Sequence, residues 1–281
     1  QLSTSWAGST IAAGEFQRVV HIWDLASRKH LGKFETVLGI GKGSYLSIAS
    51  NGKWCICAAF EDEGVAMYST AEGNEIWRRK DLGELRSVRI AVDEGRVYCC
   101  CDSCHILNWE TGETIETLPD VRRVWESPYE PLALLEKKNL VFQTPDEQTI
   151  ASVERETFAV LSVSFAPGLV CISESGGPIR CLNSQTGAEI WRYSLSDEHF
   201  LKLGFNDQNR TFVGVCWEYK RGGKFRLYKF EPESGKTSVV AELPTAATFA
   251  FCQRGSRLLS SNGSIIDTDT GQTEEVLTFP T

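Results

Sequence analysis

Ile179-Arg180-Cys181-Leu182-Asn183-Ser184-Gln185-Thr186-Gly187-Ala188-Glu189-Ile190-Trp191 is one copy of a repeat that runs through the chain. A β-rich run ends in a polar turn, and a second strand follows. The Thr-Gly pair suits the turn, because glycine adopts positive φ at no steric cost. The same pattern opens at Val20-His21-Ile22-Trp23-Asp24, Val65-Ala66-Met67-Tyr68, Ile106-Leu107-Asn108, Leu227-Tyr228-Lys229 and Ile265-Ile266-Asp267. A weaker copy starts at Leu140, where Thr144-Pro145-Asp146 replaces the Thr-Gly turn.

With Trp23, Tyr68, Asn108, Gln143, Leu182, Lys229 and Asp267 aligned, the spacings are 45, 40, 35, 39, 47 and 38 residues. Their mean, about 41, is the period of a four-stranded propeller blade. One such sheet cannot bury both faces by itself, whereas a closed ring of sheets buries every face. The expectation is an all-β chain, a single seven-bladed β-propeller with four-stranded antiparallel blades. Seven copies use the whole of residues 1–281, so one domain is expected. In the third blade two further strands are expected over Ser87 to Val92 and Arg96 to Cys101. In the sixth they are expected over Phe200 to Phe205 and Arg210 to Trp217. Ring closure is expected to pair Leu2 to Trp6 with the strand near Glu275 to Phe279.

Two family resemblances follow from these motifs. His21-Ile22-Trp23-Asp24-Leu25 resembles the closing signature of a WD-repeat blade. Glu72-Gly73-Asn74-Glu75-Ile76-Trp77-Arg78 and Thr186-Gly187-Ala188-Glu189-Ile190-Trp191-Arg192 are similar to repeats of the quinoprotein-dehydrogenase type of propeller. In that type an outer-strand Trp docks on the neighbouring blade. The chain departs from both patterns. It lacks the Gly-His pair that opens many WD-repeat blades, and its four histidines are too few for that family's recurring hydrogen-bond network. Quinoprotein enzymes with eight blades are also much longer. The resemblance therefore implies an architecture and a non-catalytic interaction platform, since fold does not imply activity.

Composition narrows the partner. A net charge of −8 argues against a nucleic acid, whose phosphates need a basic surface. No apolar run is long enough to cross a bilayer, so no membrane partner is expected. Gln1-Leu2-Ser3-Thr4-Ser5-Trp6 shows no basic-then-apolar signal pattern. Nine of the ten cysteines lie in apolar, strand-like runs, where a thiol acts as a small buried hydrophobe. Unpaired thiols suit a reducing compartment, so a cytoplasmic location is expected.

Several motifs point to chemistry, and each has a plainer reading. Cys101-Asp102-Ser103-Cys104-His105 matches the haem-attachment pattern, but it spans a strand, a turn and the next strand. A hairpin with thiols in the sheet explains it without a cofactor. The lone C-x-x-C has no second ligand pair for zinc, so no metal is expected. Neighbours in a strand point to opposite faces, so Cys99-Cys100-Cys101 reads as core filling and not as a vicinal disulfide. Gly39-Ile40-Gly41-Lys42-Gly43 lacks the spacing of a phosphate loop and reads as an inter-blade connection. No catalytic constellation can be assembled.

In a propeller the inter-blade loops and the loops between second and third strands share one face. Loops on a rigid scaffold carry function, and Arg, Trp and Tyr dominate interface energetics. The candidate partner-binding residues are Phe60, Glu61, Asp62, Arg122, Arg123, Trp125, His199, Trp217, Tyr219 and Arg221. The expected partner is another protein, met either by a scaffold or by an immunity-type antagonist. The alternative is a propeller enzyme or small-ligand receptor using the central channel. It needs a convergent ring of carboxylates, histidines or a metal. The repeat predicts a circular dichroism spectrum dominated by strand with only marginal helix; substantial helix would overturn the assignment.

Overall fold

The structure is a computed structural model. It describes residues 2–4, 10–14, 18–24, 27, 29–38, 45–49, 51–59, 64–91, 95–125, 132–136, 138–144, 148–157, 159–194, 198–218, 223–243, 249–252 and 254–276. Phe60, Glu61, Asp62, Tyr219, Arg221 and the 39–43 loop lie outside the described residues.

The described strands form seven four-stranded sheets, each built from four consecutive strands in chain order. The first sheet is Leu2–Thr4, Thr10–Gly14, Val19–Asp24 and Lys29–Glu35; the second is Tyr45–Ile48, Trp54–Ala59, Gly64–Ser69 and Glu75–Arg79. The third is Ser87–Ala91, Arg96–Cys100, Cys104–Asn108 and Thr114–Leu118. The fourth is Arg123–Trp125, Leu132–Leu135, Asn139–Gln143 and Thr149–Glu154. The fifth is Val160–Ala166, Leu169–Glu174, Ile179–Asn183 and Glu189–Tyr193; the sixth is Glu198–Asn206, Thr211–Glu218, Lys224–Phe230 and Thr237–Leu243. The seventh is Phe249–Cys252, Arg257–Ser260, Ser264–Asp267 and Thr273–Val276. No helix occurs among the described residues.

The expected closure strand is a correction. Leu2–Thr4 pairs with Thr10–Gly14, Leu2 facing Ala13, and belongs to the first sheet. The last sheet supplies its own fourth strand, Thr273–Val276, against Ser264–Asp267. A hairpin partner close in sequence is reached at less loop-closure entropy than one at the far end of the chain.

Two compact units emerge: Gln1–Val124 with Leu134–Lys137, and Trp125–Ala133 with Lys138–Thr281. In the first unit, alternate residues of the second sheet build two different cores. Cys55, Cys57, Ala66 and Tyr68 join Val20, Ile22 and Phe34 of the first sheet. Ile56, Ala58, Val65 and Met67 join Val88, Ile90, Val97 and Cys99 of the third. This is the period of two expected of a strand buried on both faces. The second unit repeats it. Phe212, Cys216, Tyr228 and Phe230 pack with the fifth sheet, and Val213, Val215 and Leu227 with the seventh.

The turn between third and fourth strands recurs with the same internal bonding. Asn108 Oδ1 accepts the amides of Glu110 and Thr111 at 2.9 and 3.0 Å. Asn183 and Asp267 do the same for their own turns. The backbone turn then closes from the Gly112, Gly187 and Gly271 amides to the carbonyls of those residues. Each glycine has φ near 70°: 72°, 71° and 72°.

These glycines also seat the neighbouring sheet. A Cβ on Gly112 would lie 2.7 Å from the Trp77 ring, and one on Gly235 would lie 2.7 Å from Trp191. Trp77 Nε1 donates to the Trp109 carbonyl at 2.8 Å, and Trp191 Nε1 to Pro232 at 2.7 Å. Arg79 adds a bond to the Gly112 carbonyl at 2.7 Å. Its guanidinium also pairs with Asp81, whose carboxyl it holds down to about 2.

Gly235→Ala therefore meets two penalties, the left-handed backbone at about 1–2 kcal/mol and overpacking against Trp191 at about 1–3 kcal/mol. Gly168 has φ 74° with open space around it, so Gly168→Ala meets only the first. Urea unfolding should rank Gly235→Ala as the more damaging; equal losses would mean that the Trp191 contact imposes no steric demand.

Candidate functional site

Within each antiparallel meander, the second–third loop and the connections to adjacent sheets emerge at the same end. In the sixth sheet the register places His199 opposite Trp217, and Trp217 opposite Phe225. Trp217 and Phe225 stack with centroids 6.4 Å apart and planes at 22°. Phe225 leans in turn on Phe249, at 5.1 Å. Both His199 and Trp217 are half-buried. The Gly176 amide donates to His199 Nδ1 at 3.2 Å, which places the neutral ring's proton on Nε2. The other face of the same strands carries charge. Buried Glu218 pairs with Arg226, and Lys224 pairs with Glu242 at 2.8 Å.

The loop carrying Gly176 is itself anchored. Glu174 is 2% exposed, and its Oε2 accepts the amides of Glu156 and Thr157 at 2.9 and 2.7 Å. Arg180, 8% exposed, reaches Glu174 at 3.5 Å, the Glu154 carbonyl at 3.1 Å and Glu189 at 3.0 Å. Arg192 joins Glu189 to Glu156. A buried carboxylate needs this compensation, and the clamp holds the Glu174–Ile179 connection beside His199. Arg192 first, and then Arg180, hold the Glu189 carboxyl below the usual carboxylate range. Its contribution to stability is thus present above the ordinary Glu pKa and lost as pH falls through the lowered folded value.

In the first unit the corresponding end of the third sheet carries Arg86, Asp102 and Arg122. Arg86 and Asp102 pair at 3.0 Å, both exposed. Asp120 takes φ 70°, a turn conformation that Asp tolerates, and the chain then enters the fourth sheet. The Arg122 amide donates to Leu135 at 2.8 Å, and its side chain is exposed. Arg123 and Trp125 are half-buried on either side of buried Val124.

Of the sequence-derived candidates, the structure brings His199 and Trp217 together. Arg122 and Arg123 belong to the first unit, and Trp125, His199 and Trp217 to the second. The remaining five lie outside the described residues. Residue-type reasoning missed Phe225, the Glu218–Arg226 pair and the Glu174–Arg180 clamp. A lone buried acid at a strand end, such as Glu174 in Leu169–Glu174, was the available signal. The haem-like motif also comes apart. Its strand ends at Cys100, Cys101 turns its sulfur to the Ser103 carbonyl, and the residue facing Cys104 is Cys100. All ten cysteines are buried free thiols. Among the described residues no three His, Cys, Asp or Glu side chains converge to hold a metal.

No protein-family model matches the chain, and no curated protein does. Solved structures do. A chain of the crystal structure of the mitotic checkpoint complex superposes with a TM-score of 0.72 at 13% identity, covering 92% of this chain and 82% of that one. The β-propeller domain of Myceliophteria thermophila Cps50 (Swd1) superposes with a TM-score of 0.70 at 12% identity, covering 96% and 93%. These likenesses establish the fold: an all-β propeller with four-stranded antiparallel blades.

Breaking the clamp from the buried side should be costly. Arg180→Met leaves Glu174 buried with only backbone donors, a loss of about 3–5 kcal/mol. Arg192→Met, on the exposed flank, should change stability little. Urea denaturation of the two variants checks this, and an undisturbed Arg180→Met would show that the two amides alone satisfy Glu174.

Proposed function

We propose that the chain is one seven-bladed propeller domain, residues 1–281, that binds another protein and does no catalysis. The observation that carries this reading is the end of the sixth sheet. There Trp217 is partly open to solvent, stacked on Phe225 and opposite His199, with two ion pairs on the other face of the same strands. Rigid aromatic side chains are what protein interfaces use as anchors, because they lose little entropy on contact. The further candidates from the sequence are Phe60, Glu61, Asp62, Arg122 and Arg123 in the first unit and Trp125, Tyr219 and Arg221 in the second. The net charge of −8 favours a partner with a basic face and no nucleic acid. One solved neighbour is a chain of the mitotic checkpoint complex, in keeping with a role in assemblies. Free buried thiols support a reducing, cytoplasmic setting.

Two forms of binder fit: a scaffold that leaves its partner active, and an immunity-type antagonist that blocks the partner's site. An activity assay of the partner with and without this chain separates them.

Trp217→Ala should weaken the partner complex by about 1–3 kcal/mol while the chain keeps its fold. Gln185→Ala and Glu233→Ala, in exposed turns at the opposite sheet ends, should leave affinity unchanged. Capture from the native source by wild type and Trp217→Ala, with calorimetry on whatever protein is retained, provides the measurement. Equal affinity of both proteins, or sensitivity only to the opposite turns, would move the binding surface elsewhere.

A further inference from the structure

The third sheet holds a thiol pair that the binding surface does not use. Cys100 ends the second strand, Cys104 begins the third, and the register sets them directly opposite. The Cys100 carbonyl accepts the Arg86 amide at 2.7 Å, on the side of the first strand. The Cys101 amide donates to Ser103 at 2.8 Å across the turn. Cys100 and Cys104 are therefore a non-hydrogen-bonded pair, the type whose side chains approach most closely, with Cα atoms about 4.5 Å apart. That lies in the range of about 4.4–6.8 Å that a disulfide bridges. The two sulfurs stand 3.1 Å apart.

Other thiols are also near one another. Cys171 faces Cys181 in the fifth sheet, and Cys55 and Cys57 share a face of one strand. Burial pushes Cys171 and Cys57 well up, so these remain protonated core filler. Cys100 differs. Its hydrogen bond with Cys104 holds it below the usual thiol range in spite of burial, and the Arg123 and Arg89 guanidiniums add to this. Cys104, the other partner of that bond, is pushed up. The pair also sits at a sheet end, two residues from exposed Asp102. At 1% and 0% exposure, Cys100 and Cys104 are closed to bulky reagents.

We propose that Cys100 and Cys104 form a peroxide-oxidised dithiol site, with Cys100 as attacking sulfur and Cys104 as resolving sulfur. The Cys100 thiolate attacks one oxygen of hydrogen peroxide, and the O–O bond breaks. The leaving hydroxide takes up the proton that the thiol gave up, forming water, and Cys100 becomes a sulfenic acid. The Cys104 sulfur then attacks the Cys100 sulfur and the S–O bond breaks. The hydroxyl leaves as water with the Cys104 proton. Two sulfurs lose two electrons, the peroxide oxygens gain them, and the product is a disulfide across the hairpin. Two molecules of a thiol reductant reverse it by exchange once the hairpin is opened. The site stands whether or not this end of the sheet binds a partner.

Reduced full-length chain is treated with stoichiometric hydrogen peroxide, quenched, alkylated in denaturant and mapped by non-reducing peptide mass spectrometry. The expected product has one link, Cys100 to Cys104, lacks two hydrogens and is restored by a thiol reductant in denaturant. Fragmentation within Cys99-Cys100-Cys101 assigns the sulfur. Cys104→Ser should give no link and a sulfenic acid at Cys100, trapped by dimedone when the oxidised chain is unfolded in its presence. Cys171→Ser should leave the wild-type link intact. Ten alkylated thiols after peroxide, a link to Cys99 or Cys101, or a link at Cys171–Cys181 would each overturn the site. If Cys104→Ser loses its strand spectrum, the wild-type map and Cys100→Ser, which should form no link, decide the matter.

Discussion

A glycine at positive φ, pressed against an outer-strand side chain of the preceding sheet, is the contact on which the remaining structure rests. Five junctions within the two units use it. Gly73 sits on Phe34, Gly112 on Trp77, Gly187 on Val153 and Ala151, Gly235 on Trp191, and Gly271 on Ala241. Two demands coincide at one position. The turn needs a left-handed residue, and the neighbouring sheet leaves no room for a Cβ. Each demand alone tolerates exceptions, but together they leave only glycine. A repeat such as Gly73 to Trp77 carries both halves of the joint, a seat for the sheet before and a plug for the sheet after.

This joint sets what the opposite ends of the sheets are free to do. With one end closed by short, internally bonded turns, variation falls on the end that carries the connections between sheets. There positive-φ glycines recur as well, among them Gly176 and Gly263, and the fifth sheet adds charge to them. Glu174, Arg180, Glu189 and Arg192 brace a turn that the Gly177 amide also closes on the Glu174 carbonyl at 3.2 Å. A buried ion network of this kind adds less net stability than apolar packing would, yet it fixes position, because each partner must find its own charge. The result is a stiff base under His199 and Trp217, the pair on which the binding proposal rests.

The third sheet shows how register overrules spacing. In the chain, Cys101 and Cys104 make a recognisable motif, and Cys99-Cys100-Cys101 suggests a vicinal pair. In the sheet, alternate residues face opposite ways. Cys99 and Cys101 enter the core shared with the second sheet, while Cys100 turns to Cys104. The chemistry thus belongs to a pair that no linear pattern picks out.

Period and turn chemistry were legible without coordinates. A repeat of Asn/Asp, Thr and Gly separated by apolar runs defines the turns through backbone bonds that form locally, as Asn108, Asn183 and Asp267 show. The strands of the third sheet were likewise placed to within a residue, because their alternation and flanking turns are local properties. The β-bulge between third and fourth strands was not legible, although it recurs in all seven sheets. It inserts one residue without a distinctive residue type, since it answers to twist and not to side-chain chemistry. The pairing of Leu2–Thr4 inside the first sheet and the burial of Glu174 against amides from residues 156 and 157 depend on which segments meet. Local sequence determined where the chain turns and which runs are strands; tertiary structure decided which side chains face one another, because that is a property of register and of neighbouring sheets.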